Sequence, residues 1–220
     1  MTYYFAFPLD AALQSSIDEI LAGQAVGRFP DPSTSVAVAI GTTDGIVKAT
    51  AEDVIQILKH NGEGAGVLDV LAKLLKGTMH VLIRQIMGKV DHKEQERLAG
   101  YLRNRRIVIN GETRFGFVMP AALGETLEGI LENIDHGRME HVRAELTAAM
   151  LEFVDHAVKS FYEDFTQCLE LGMIKRKMVD IGHGTVLKGS HSAVKKLFAT
   201  MSDDDLKQVA QHYHTMFVSD

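Results

Sequence analysis

The chain has a single cysteine, Cys168, in 220 residues. A lone thiol excludes an intrachain disulfide framework and the Cys-x-x-Cys-His signature of covalent c-type haem. Cys168 falls near the apolar face of a long helical pattern, which predicts a buried, inert thiol in a reducing compartment. Long apolar runs are also missing: none approaches the ~18 residues of a spanning helix. The first ten residues, MTYYFAFPLD, have neither a basic region nor a long apolar one. The expected address is therefore cytoplasmic, with no membrane partner. Gly-x-Ser-x-Gly does not occur, which removes the nucleophile-elbow context. Internal repeats and low-complexity tails are absent.

What is present is uneven charge. The chain is −6 overall, yet residues 171–200 hold Lys175, Arg176, Lys177, Lys188, Lys195 and Lys196 against Asp180 alone, so this segment is +5 and the remainder −11. An acidic remainder repels extended duplex, so nucleic acid is not an expected partner. The basic segment instead faces an anionic small molecule or an acidic protein.

Hydrophobic periodicity predicts a mainly α protein, a helical bundle with a long central antiparallel helix pair and one or two small β-hairpins. Leu9, Leu13, Ile17, Ile20 and Leu21 give a first helix ending near Gly23. Residues 36–40 and 45–48, both apolar and bounded by turn residues, read as a small hairpin. Thr50 with Asp53 resembles a cap for a helix through Lys59, which residues 61–66, with three glycines, should break. A strong amphipathic helix covers 67–86. Its broad apolar face needs a covering surface, and a homodimer is expected on that ground.

A short helix around 93–103 leads to the best strand signal, 106–118, in which Asn110-Gly111 supplies the positive φ angles of a two-residue hairpin turn. Pro120 and Leu123 to Ile134 form the next helix, and Gly137 separates it from a long one at 139–171. Beyond Gly172 the sequence reads as a Gly-punctuated basic loop, then two helices at 192–199 and 203–217, the last capped by Ser202. The expected organisation is a core of residues 1–172 and an appended subdomain of residues 173–220.

Three constellations carry candidate chemistry. On the long helix, Leu146, Met150, Phe153, Ala157 and Phe161 share one arc, while His141, Glu145, Glu152, His156 and Glu163 lie about 80 to 140° away. His141 with Glu145, and Glu152 with His156, are each one turn apart. As metal ligands they would suit zinc, iron or manganese. The His and Glu spacings of hemerythrin-like and ferritin-like di-iron bundles are absent. Asp164 falls inside the apolar arc, as a polar contact or the floor of a pocket between helices. His183, Lys188 and Ser190, among glycines, form a candidate anion site.

The sequence thus predicts a cytoplasmic interaction or regulatory protein whose basic segment binds an anionic ligand or acidic partner. The alternative is a metal-dependent enzyme or sensor on the His and Glu flank. A third possibility, an enclosed apolar pocket with Asp164 at its base, concerns binding alone.

Overall fold

The computed structural model describes residues 1–58 and 63–220. The chain is mainly α with one small antiparallel sheet. In order it forms β1 (Tyr3–Phe7), α1 (Ala11–Ala25), α2 (Pro32–Val47), a π-turn (Lys48–Glu52), α3 (Asp53–Leu58), α4 (Glu63–Ile86), α5 (His92–Arg105), β2 (Arg106–Ile109) and β3 (Glu112–Val118). Next come α6 (Ala121–Asp135), α7 (Val142–Val158), a second π-turn (Lys159–Glu163), α8 (Asp164–Gln167), α9 (Met173–Thr200), α10 (Asp203–His214) and β4 (Phe217–Ser219).

The hairpin β2–β3 forms where expected, with Asn110 at φ 52° and Gly111 at φ 82°. It is one half of a four-stranded sheet ordered β2-β3-β1-β4. The other half comes from the two chain ends. Phe5 stands opposite both Phe117 and Phe217, and Phe7 opposite Phe115, so period-two alternation puts all five rings on one face. Phe153 and Phe161 of the α7 region close over them, with the Phe5–Phe153 centroids 4.9 Å apart. Gly116 is obligatory here, because a Cβ would run into the Phe5 carbonyl oxygen.

Four expectations are corrected. Residues 36–48 form helix, not a hairpin: Asp31 accepts from the amides of Ser33 and Thr34, Pro32 occupies the first turn, and within the apolar run the adjacent Val38 and Ala39 are both buried. A short apolar run carries no periodicity to separate strand from helix. Thr50 caps nothing, since its hydroxyl donates to the Ile46 carbonyl at 2.7 Å and helix continues through the π-turn into α3. Lys59 to Gly62 lie outside the described residues, and Gly64 and Gly66, placed in the expected break, are inside α4.

The fourth correction is the largest, because the Gly-punctuated basic loop is one helix of 28 residues, α9. Two of its glycines, Gly182 and Gly189, serve close packing. A Cβ on Gly189 would meet Leu74 Cδ2 at 2.8 Å, and one on Gly182 would strike the Tyr162 hydroxyl. Helix α9 runs antiparallel to α4, since Lys175 Nζ donates to the Ile86 carbonyl at one end while Leu197 meets Gly64 at the other. Val179, Val186, Leu197 and Phe198 join the core shared with residues before Gly172.

The long helix begins at Val142, because His141 takes a left-handed φ of 63°. Its π-turn inserts about one residue into the helical count and rotates the residues beyond it by about 100°. Phe165 thus takes the inward place that an unbroken helix gives Asp164.

Candidate functional site

Between α2, α4, α7, α9 and α10 the packing leaves an apolar cavity of about 140 Å³. Its walls are Leu68, Leu71, Leu75 and Met79 from α4, Met150, Phe153 and Val154 from α7, and Val186, Val194 and Leu197 from α9. Both π-turns border it, the first through Thr50 and the second through Phe161 and Tyr162. Such turns widen a helix locally and occur often at functional sites.

Five hydroxyl side chains line the space, and three are already committed. Thr43 Oγ1 donates to the Ala39 carbonyl at 2.9 Å, Thr50 Oγ1 to Ile46, and Tyr162 Oη to Val179 at 2.6 Å. The other two are Ser190 and Tyr213, only 8% and 4% exposed. Among the described residues, neither hydroxyl has a hydrogen-bond partner. Burial pushes the hydroxyls of Tyr162 and Tyr213 above their ordinary range, so both stay neutral.

The walls are tied to one another at their rims. His183 Nε2 lies 2.9 Å from Glu163 and His191 Nε2 2.8 Å from Asp155, both linking α9 to the α7 region. His80 meets Asp44 at 2.8 Å and Lys76 meets Glu52 at 2.7 Å, linking α4 to α2 and the first π-turn. His212 Nε2 approaches the Ala49 carbonyl at 3.0 Å from α10. Every charged group stands outside the cavity, leaving its lining neutral.

The candidate site residues of the sequence disperse in the fold. Ser190 faces the cavity, His183 is engaged by Glu163, and Lys188 points to solvent on the far side of α9. They form no common anion site. His141 is 79% exposed and lies 3.5 Å from Glu140, while His156 stands 4.0 Å from Glu152. Among the described residues no group of three or more His, Cys, Asp or Glu could hold a metal ion.

Asp164 does not floor the cavity. It pairs with the Arg105 guanidinium, whose Nε donates to the Ser160 carbonyl at 3.1 Å and which lies over the Tyr101 ring. Cys168 is buried nearby with Sγ 3.2 Å from the Asp164 carbonyl oxygen, and burial pushes its thiol up to about 11.

Sequence reasoning missed Thr43, Thr50 and Tyr213. Tyr213 carries the one available signal, a polar aromatic within the buried stripe of α10. Among the described residues no helix is long and apolar enough to cross a membrane. No protein-family model, curated protein or solved structure matches the chain.

Proposed function

We propose that this protein is a binding module for a small apolar molecule, held in the cavity between its helices. The observation that carries this reading is the cavity itself: uncharged, lined mainly by hydrocarbon, and bordered by both π-turns. Close packing normally leaves few voids larger than a water molecule, and empty volume forfeits dispersion contacts. An occupant restores them. An engineered dry cavity of about 150 Å³ takes up benzene or xenon, so this volume accepts a molecule of that class without rearrangement.

Titration of the full chain with toluene tests the reading. Saturating toluene is expected to raise Tm by mass action and to shift the methyl resonances of Leu71, Val154 and Val186. Ala193→Leu, which extends a side chain from the wall into the space, is expected to abolish both effects. Unchanged Tm and unchanged resonances at saturating toluene would overturn it.

A second reading has its own observation. Lys177, Lys188 and Lys195 recur at helical spacing along the exposed ridge of α9 beside Ile181, and among the described residues none has an ion-pair partner. The ridge suits an acidic protein partner, consistent with a cytoplasmic interaction or regulatory role. Binding to an acidic peptide that weakens steeply from low to high salt, and is lost when the three lysines become glutamine, is the expected result.

A further inference from the structure

We infer that the cavity, on the binding reading above, selects a small neutral molecule of about benzene's size bearing one hydrogen-bonding oxygen, a phenol, alcohol or ketone, recognised by the Ser190 and Tyr213 hydroxyls. Three observations combine. The first is the pair of hydroxyls. Ser190 on α9 and Tyr213 on α10 line the cavity, are more than nine-tenths buried, and have no hydrogen-bond partner among the described residues. A hydroxyl that lines a cavity without a protein partner can bond an occupant, which is what these two offer a ligand.

The second observation is their contrast with the remaining hydroxyls. Thr43, Thr50 and Tyr162 line the same space but are spent on helix carbonyls, so they offer a ligand no free proton. Recognition therefore falls to two residues. Each hydroxyl can donate or accept, so either can bond a ligand oxygen, and the rest of the ligand is left to dispersion contact.

The third is the absence of charge from the wall. No Lys, Arg, His, Asp or Glu lines the cavity, and the histidines and carboxylates at its rim are engaged with one another. A carboxylate or ammonium would be desolvated with nothing to compensate it. A ligand whose charged group must lie within the cavity is disfavoured on this ground.

Three probes of similar size separate the possibilities at neutral pH: phenol, toluene and benzoate. A purely apolar cavity prefers toluene, because phenol surrenders its bonds to water on entry. The inference requires the reverse, with phenol about tenfold tighter than toluene and benzoate without measurable binding. In the Ser190→Ala/Tyr213→Phe variant the order should invert to toluene over phenol, with toluene affinity unchanged. If toluene binds wild type more tightly than phenol, the cavity binds but this selectivity is overturned. Benzoate as the tightest probe would also overturn it. Binding by none of the three defeats the binding reading itself. Since the wild-type ranking decides the ligand class alone, a variant that fails to fold does not rescue the inference.

Discussion

The two ends of the α7 region are packed in opposite ways. Toward the sheet, Phe5, Phe7, Phe115, Phe117 and Phe217 fill the interior, with most neighbouring rings tilted or edge-on to one another. Toward α4 and α9 the wall is aliphatic and a cavity remains. Phe153 and Phe161 belong to both ends, contacting the sheet's rings on one side and the cavity on the other. The contrast teaches that the void does not follow from a generally loose core. Material for tight packing is present on the other side of Phe153 and Phe161, and this cavity is bordered by both π-turns.

Truncation at the solid end should have the largest effect. Phe5 is fully buried and touches four other rings within 6 Å, so Phe5→Ala should cost about 3–5 kcal/mol in urea unfolding. A cost below about 1 kcal/mol would erase the distinction between the two ends.

An intermediate effect is expected just beyond the second π-turn. Asp164→Ala leaves the Arg105 guanidinium, 10% exposed, without its carboxylate. Because Asp164 itself is 39% exposed, water compensates in part, and a loss of about 1–3 kcal/mol is expected. Asp164→Asn, which keeps an acceptor, should lose less. An Asp164→Ala variant as stable as wild type would show that the rotation imposed by the π-turn is unsupported by this pair.

These elements also mark how far the sequence can be read. The β2–β3 hairpin is legible because Asn110-Gly111 meets a local backbone demand, and Ser202 is legible as a cap because its partner, the Asp205 amide, lies three residues on. Helix α9 is not. Gly182 and Gly189 look like loop residues until Tyr162 and Leu74, distant in sequence, are seen to need the space. Asp164 is misplaced by a count of 100° per residue, because that count assumes no inserted residue. The cavity lies further out of reach, since it belongs to no segment and arises only where five helices meet. Ser190 reads in the sequence as an anion ligand beside Lys188, whereas it is buried at the cavity, on the face of the helix away from Lys188.

At the hollow end the sign should reverse. Ala193 lines the cavity and is 6% exposed. Ala193→Leu adds hydrocarbon where space exists and should leave stability unchanged or raise it by up to about 1 kcal/mol. The same substitution in a filled core costs about 1–3 kcal/mol through overpacking. The urea midpoint with and without toluene distinguishes these outcomes, because only the wild type should gain from the probe. A destabilised Ala193→Leu variant would mean that the wall cannot use the volume it encloses.

The smallest expected effect at neutral pH concerns Cys168, past the second π-turn and against α5. Burial raises its thiol from an ordinary value near 9 to about 11, mainly because the thiolate would lose water there. Since the folded pKa is the higher, the stabilisation from keeping the thiol neutral is intact below the unfolded value. It is lost as pH rises through about 11. Neutral pH is therefore silent, and alkylation at pH 9 is the sensitive measurement. With roughly half the unfolded thiols ionised and about one in a hundred of the folded ones, iodoacetamide should label the native chain about fiftyfold more slowly than the urea-unfolded chain. Equal rates would place Cys168 in a wet environment and leave the packing beyond the π-turn as loose as the cavity before it. A slow rate would show that the packing around Cys168 is dry.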